Sequence, residues 1–461
     1  MADRKAYIEA GQQGRAISPW AFIITLYLPF GIMDYGLKVA LPSNLFKLLE
    51  FSNQEIGLLS GIGLVASSRF LFAPWLDGAT TKRRLSIVTL TLGAILAFLG
   101  AGLIYSPVDE TIFLWGMVVM LFSMAIVGAS HETAADGYYI RVLNPKRQAE
   151  FIGIKTAAIR AGVIFSTLVL LLTATKIAAS YGATGVDSVD KTGFKIGFGV
   201  TYAVAGVLIL AFAIYNKFVI PKIPNDQAVR HTRFALGEVL REYFQQQGVF
   251  LMILLFLIYR VGQGFLEVMK GPFYLDPVSK GGMAADATAM PYFSFLSDMP
   301  WMIVGGILGG YIVKWYGLRR TFIPLTIFMN LPNLFYVWLA MTQPEKSVLL
   351  FGETLNVGVL VGSSIESFGY GLSFSAMFYY MHIMATESGR NKTAILAVSL
   401  AVMNVGWMGP GMVSGYVQAA LGYPGLFVVS SIVGLVAILL IPYLPMPKIE
   451  LNNSHLPGDL Q

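Results

Sequence analysis

Ala73-Pro-Trp-Leu-Asp-Gly-Ala-Thr-Thr-Lys-Arg-Arg84 is a short basic turn between two apolar blocks, and the block it introduces reads Leu85-Ser-Ile-Val-Thr-Leu-Thr-Leu-Gly-Ala-Ile-Leu-Ala-Phe-Leu99. A membrane-crossing strand would need about 10 residues that alternate apolar with polar. Residues 85–99 do not alternate, so the block reads as helix. Blocks of about 20 such residues recur from end to end, each long enough to cross a hydrocarbon core of about 30 Å as a helix. They fall near residues 19–41, 54–76, 84–105, 111–138, 151–175, 195–217, 248–271, 289–313, 320–341, 352–385, 393–419 and 424–445. The expected fold is an all-α membrane protein of twelve spanning helices.

Composition agrees. The 461 residues are 56% hydrophobic and only 13% charged, with a mean hydropathy of +0.65, against roughly 25% charged residues in a soluble domain. So little polar surface cannot coat a water-soluble enzyme. Lysine and arginine set the orientation. With both termini cytoplasmic, 20 of them fall on the cytoplasmic side and 6 on the other. The net charge of +6 is then a topology signal and not a nucleic-acid footprint. The expected location is a bacterial inner membrane, crossed many times. The first apolar run follows a polar start and lacks a small-residue cleavage site, so it is expected to stay in the protein. The absence of cysteine excludes disulfides and thiolate metal sites. No metal and no cofactor are expected.

Working outward from the opening stretch, Gly309-Gly-Tyr-Ile-Val-Lys-Trp-Tyr-Gly-Leu-Arg-Arg320 echoes it, with basic pairs 236 residues apart. Glu132 in span four and Glu366 in span ten lie 234 residues apart. Two near-equal offsets imply six helices duplicated in parallel: a bundle over residues 1–217, a linker over 218–247, a second bundle over 248–447 and a cytoplasmic tail over 448–461. A duplication of this kind opens alternately to each side by rocking one half on the other. In the linker, Leu236, Val239, Leu240, Tyr243 and Phe244 recur at helical spacing, which reads as an amphipathic connector at the cytoplasmic interface. Gly57 with Gly61, Gly305 with Gly309, Gly306 with Gly310 and Gly411 with Gly415 are small-xxx-small pairs, expected where helices approach closely. Gly61-Ile-Gly-Leu-Val-Ala66 matches a dinucleotide pattern by letter but sits inside an apolar helix with no strand before it. No P-loop is present, which argues against ATP-driven transport.

An ionisable side chain within a span costs at least about 2.5–3.5 kcal/mol on insertion scales and is by default paired and functional. Span one carries Asp34 and Lys38, four apart on one face. Span two carries Arg69; span four His131, Glu132 and Asp136; span five Lys155 and Arg160; span seven Arg260, Gln263 and Glu267 on one stripe; span ten Glu366. Acids such as Glu132, Asp136 and Glu366 are candidates for proton uptake, and Arg260 or Lys38 for gripping an anionic group. Arg69, Asp77, Arg83, Arg84, Arg160, Arg319 and Arg320 are gating candidates. Lys270, at the outer end of span seven, is expected to snorkel to water. Tyr27, Phe30 and Tyr35, Tyr138 and Tyr139, Tyr259 and Phe265, and Phe368, Tyr370, Phe374 and Phe378 offer apolar faces with polar tips, which suit sugars or ring systems and equally suit helix packing.

These residues carry a family resemblance. With a D-x-x-x-x-[KR]-[KR] loop after span two and its echo after span eight, the chain resembles the major facilitator superfamily. Within it, the chain is similar to the muropeptide permease AmpG branch, which groups with acetyl-CoA transporters. The carriers are Arg69-Phe-Leu-Phe-Ala-Pro-Trp-Leu-Asp77, Ser130-His-Glu-Thr-Ala-Ala-Asp-Gly-Tyr-Tyr139 with Val142-Leu143, Arg160-Ala-Gly162 and Tyr259-Arg-Val-Gly262. The resemblance implies that the solute enters with the proton gradient and that helices one, four, seven and ten line the cavity. Asp34, Lys38, Glu132, Asp136, Arg260, Gln263, Glu267, Glu366 and Tyr370 all lie on those four. The chain departs from the family at Gln263, acidic there, and at Arg141 and Lys155, acidic or neutral there.

The expected function is a secondary active transporter, a proton-coupled importer of a polar, anionic, sugar- or peptide-containing solute, acting as a monomer whose partners are the bilayer, the solute and protons. A siderophore or CoA ester is the alternative cargo. A membrane-embedded transferase using His131, Glu132 and Asp136, or a sensor that binds without transport, are the alternative classes. The transferase gives the repeat and its twin basic loops no purpose, so no enzyme activity is expected.

Overall fold

The computed structural model of the chain describes residues 19–68, 80–143, 145–222, 236–387 and 392–445. Among them nine helices are long and apolar enough to cross a membrane: Phe22–Leu48, Lys82–Tyr105, Glu110–Val142, Gly153–Ser180, Thr192–Val219, Val249–Leu275, Ala287–Tyr316, Leu318–Thr342 and Ile395–Tyr443. These correspond to spans one, three to nine, and eleven with twelve. The last is two spans run together, broken at Gly422, whose backbone leaves the helical region (φ 68°, ψ 178°). Span ten is Val357–Glu387, 31 residues and more polar because of its serines and Glu366. Span two begins as Asn53–Leu59, Ser60–Ile62 and Gly63–Ser67. Its first turn is closed by a capping box in which Ser52 and Glu55 satisfy each other's backbone amides.

By contact, the described residues form two compact units. One is drawn from Met1–Leu45, Leu71–Ala183 and Asp190–Phe234, the other from Phe46–Phe70, Thr184–Val189 and Ala235–Gln461. In the first unit span one packs along span five, and span three lies against spans four and six. In the second, span seven packs along the long C-terminal helix, and span nine lies against span ten and that same helix. Asn333 of span nine donates to Ser430 Oγ of span twelve at 3.2 Å. Three with four and six, nine with ten and twelve: each unit repeats the other's neighbours with a shift of six, as the spacing of the basic loops implies.

Small residues allow the closest of these contacts. A Cβ on Gly309 would stand 2.3 Å from the Leu372 carbonyl oxygen, and one on Gly305 2.2 Å from that of Phe368, so span eight meets span ten backbone to backbone. A Cβ on Gly57 or Gly415 would likewise crowd backbone. The expectation for Gly306 with Gly310 is met at Gly306 alone: Ser375 of span ten donates to its carbonyl at 2.8 Å and a Cβ on Gly371 would stand 2.8 Å from its amide nitrogen, whereas a Cβ on Gly310 would meet nothing within 4 Å. Gly310 lies one residue round the helix from the packed Gly309 and faces away from span ten.

Two further differences concern boundaries. The expected start of span ten, residues 352–356, is instead the second strand of a hairpin: Ser347–Leu350 (β1) pairs antiparallel with Glu353–Asn356 (β2), Leu350 opposite Glu353. Its two-residue turn needs positive φ at both positions, met by Phe351 (54°) and Gly352 (79°). The linker helix Leu236–Phe244 forms as its spacing implies, but its apolar face is covered by protein. Val239 and Tyr243 pack against Val249, Ala385, Ile395 and Val398, while Phe244 stays exposed.

Within the second unit a polar pin ties the end of span one and the start of span two to span seven and the C-terminal helix. Lys47 Nζ lies 2.6 Å from Asp276 Oδ1 and donates to Asn53 Oδ1 at 2.8 Å. Tyr423 donates its hydroxyl to Asp276 Oδ2 at 2.5 Å, and Asn53 Nδ2 reaches Gln418 Oε1 at 3.0 Å. Removing one partner of a buried pair leaves an uncompensated charge, at a cost of about 3–5 kcal/mol, whereas replacing both with apolar residues is often neutral.

Two predictions follow from this packing. Gly309→Val should lower the unfolding midpoint in detergent, by the equivalent of about 1–3 kcal/mol of overpacking, while Gly310→Val leaves it near wild type; equal midpoints would refute the assignment of the packed face. Asp276→Leu should destabilise strongly, and adding Lys47→Met should restore most of the loss in the same measurement.

Candidate functional site

The densest cluster of charge lies in the second unit, on spans seven, eight and ten. Lys270 Nζ is 3.2 Å from Glu267 Oε2, 3.2 Å from Asp298 Oδ1 and 3.5 Å from Glu366 Oε2. Lys270 is 6% exposed and Glu366 2%, so both are out of water. Glu267 lies one helical turn before Lys270 and remains exposed. Asp298 closes a π-helical stretch, Ser294–Asp298, that precedes Pro300. Proline has no amide to sustain the regular ladder, and the wider turn carries the Asp298 carboxylate to Lys270. Ser363 donates to Asp298 Oδ1, and Ser367 donates to Asp298 Oδ1 at 3.4 Å and to Glu366 Oε2 at 3.3 Å. Lys270 therefore does not snorkel, because three carboxylates hold it inside.

Arg260, half a span away, stands where span seven breaks into Val249–Tyr259 and Val261–Leu275, with φ −106° and ψ 9°. Its neighbours Gly262 and Gly264 permit the C-terminal helix to close in: a Cβ on Gly264 would lie 2.1 Å from the Trp407 carbonyl oxygen. That approach brings the Trp407 ring to 4.7 Å from the guanidinium carbon. Tyr370 and Phe374 of span ten sit at 5.5 Å. One guanidinium nitrogen donates to Tyr370 Oη at 2.8 Å. Gln263, on the same stripe in the sequence, is buried between the Met329 carbonyl of span nine, to which it donates at 3.5 Å, and the Glu366 carboxyl of span ten, which it also meets.

The first unit holds two smaller sites. Lys155 Nζ is 2.6 Å from Asp136 Oδ1, the Tyr27 hydroxyl donates to the same oxygen at 2.7 Å, and the Tyr27 and Tyr139 rings flank the ammonium at 5.0 and 5.7 Å. Lys155, a departure from the resembled family, is thus the partner of Asp136. Asp34 pairs with Lys38 as their spacing implies, inside a π-helical stretch, Ile32–Ala40. Glu132 is half-buried on span four. His131 is fully buried, with Nε2 2.9 Å from the Leu26 carbonyl and Nδ1 2.9 Å from Thr89 Oγ1, so it braces spans one, three and four. Tyr138 and Tyr259 bond to the Pro221 and Ser373 carbonyls and serve packing.

Of the gating candidates, Arg69 and Asp77 lie outside the described residues. Arg83 caps the end of span six, its Nε and one terminal nitrogen donating at 2.6 Å to the Ile220 and Lys217 carbonyls. Arg84, Arg160, Arg319 and Arg320 are exposed. Asp298 and Trp407 complete the clusters and carry no reading in the sequence, whereas Lys155 and Tyr27 are read there only as an intramembrane charge and an aromatic face. For Asp298 the signal was there, an acid within the apolar interval 289–313.

The comparisons agree with this architecture. The Major Facilitator Superfamily profile matches residues 23–396. The chain is 23% identical over 456 residues to the Rickettsia prowazekii protein named "Putative transporter AmpG 1", a match covering 89% of this chain and 96% of that one. It is 24% identical over 276 residues to the Rickettsia typhi protein named "Putative transporter AmpG 2", and there it spans 63% of the relative's length and 56% of its own. Among solved structures, that of a D-xylose-proton symporter superposes with a TM-score of 0.64 over 93% of this chain and 98% of that chain, at 14% identity. With twelve spans in two bundles, a duplicated basic loop and a profile match over most of its length, the chain belongs to the Major Facilitator Superfamily and is a membrane transporter, not an enzyme.

Proposed function

We propose that the protein is a proton-coupled secondary transporter that imports a polar, anionic, muropeptide-like solute across a bacterial inner membrane, with both termini cytoplasmic. The observation that carries this reading is the charge imbalance at Lys270, where one ammonium faces the carboxyl groups of Glu267, Asp298 and Glu366. A buried site does not tolerate uncompensated negative charge. Protons are the compensating cations that need no further ligands, and the three acids sit on three different spans. Adding a proton to Glu366 weakens the hold of Lys270 on span ten, and losing it restores that hold. Protonation is thereby tied to how spans seven, eight and ten are held together, which is what coupling requires.

Asp136 supports the same reading in a lesser role. Its carboxylate already has a cation in Lys155 and a donor in Tyr27, so it is balanced without a proton. It is better suited to positioning Lys155 than to carrying the coupling proton.

Uptake of a labelled muropeptide into proteoliposomes, with an imposed pH gradient and with or without an uncoupler, tests the proposal. Uptake should collapse with the uncoupler. Glu366→Gln should cut gradient-driven accumulation at least about 10-fold, the loss of about 1.4 kcal/mol of coupling, while leaving counterflow exchange measurable. Asp136→Asn should reduce the rate and keep the gradient dependence. Accumulation indifferent both to the uncoupler and to Glu366→Gln would refute proton coupling.

A further inference from the structure

Resting on the reading of the protein as a solute transporter, we propose that Arg260 is the residue that reads the solute's charge: its guanidinium, framed by Tyr370, Phe374 and Trp407, binds a carboxylate or phosphate borne on a ring.

Arg260 differs from four other shielded cations in having no anion. Lys38, Lys47, Lys155 and Lys270 each meet a carboxylate. Arg260 is 8% exposed, and no carboxylate of the described residues lies within ion-pair distance of it. Of its five N–H donors, one is used, on Tyr370 Oη. Nε is buried with no acceptor. A cation–π cage compensates part of the charge, but it accepts no in-plane hydrogen bond. The donors in the guanidinium plane remain unmet, in the fork arrangement that suits two oxygens of one carboxylate or phosphate.

The surroundings specify the rest of the ligand. Tyr370, Phe374 and Phe378 stand four residues apart on span ten, with ring centroids 5.5 and 6.0 Å apart and planes within 22° of parallel. They are half-buried or exposed, so ring area is left uncovered. Trp407 adds a second plane from the C-terminal helix. Ring faces next to a forked donor favour an anion carried on a short substituent of a ring over a small free anion, which would leave them unused. The break of span seven at Arg260, with Gly262 and Gly264 beside it, is what allows Trp407 to approach. If Arg260 were only a packing element, an apolar side chain would fill the cage without stranding donors.

Three sugars that share one ring separate the alternatives: N-acetylmuramate carries a carboxylate, N-acetylglucosamine 6-phosphate a phosphate, and N-acetylglucosamine neither. Each is added at millimolar concentration to the purified full-length protein in detergent, without a gradient, and the unfolding midpoint is read. At least one of the two anionic sugars should raise the midpoint by several degrees and the neutral one should not; which anion acts identifies the group read. Arg260→Gln should weaken the effective anion roughly 10- to 100-fold. Arg260→Lys, which keeps charge without the fork, should retain part of the effect. Trp407→Leu should reduce it while leaving anion preference intact. Because the midpoint is read without a gradient, a failure of proton coupling is read separately, in uptake. An equal shift from the neutral sugar, no shift from either anion, or an anion shift that survives Arg260→Gln would each overturn the assignment. The wild-type comparison decides even if a variant fails to fold.

Discussion

An ionic side chain taken out of water costs several kcal/mol unless a partner comes with it, and much of this protein's interior is arranged around that cost. Lys47 is held by Asp276, Lys155 by Asp136, Lys38 by Asp34 and Lys270 by three acids at once. Each pair bridges helices or braces a helix where its backbone widens, so the compensation of charge also determines which helices stay together. Two imbalances remain. Lys270 has more carboxyl groups than it can neutralise, and Arg260 has rings where the others have an acid. One surplus is negative and wants a cation; the other is positive and wants an anion. Lying on the same unit, the two share spans seven and ten.

These charges meet because backbones can approach. Gly305 and Gly309 set span eight directly on span ten, which brings Asp298 within reach of Glu366 and Lys270. Gly264 does the same for Trp407 and Arg260. A methyl group at either place would push the helices apart by more than a hydrogen bond tolerates. The glycines of these interfaces thus help to assemble the cluster as much as the acids do, although they carry no charge.

Irregular helix supplies the remaining control. Asp34 and Lys38 lie within one π-helical stretch and Asp298 ends another, while Arg260 stands at an outright break. A π turn rotates every following side chain relative to a regular helix, so a residue that a helical wheel places toward lipid can end up toward a neighbour. Asp298 is such a case. Gln263, on the stripe with Arg260 and Glu267, reaches both the Met329 carbonyl of span nine and Glu366 of span ten.

Sequence by itself determined the class, the helices, the duplication and the residues that could not be idle. Hydropathy, basic loops and the cost of buried charge are local quantities and can be read one segment at a time. Asp34 with Lys38 was legible because four residues is one helical turn. Tertiary structure alone decided which acids face Lys270, that Lys155 answers Asp136, that Gly310 faces away, and that Arg260 is boxed by aromatics. Those outcomes depend on the rotation of each helix about its axis and on contacts between residues on different spans, up to 147 positions apart. Rotation is set by backbone irregularities and close approach, and neither leaves a periodic trace in the chain.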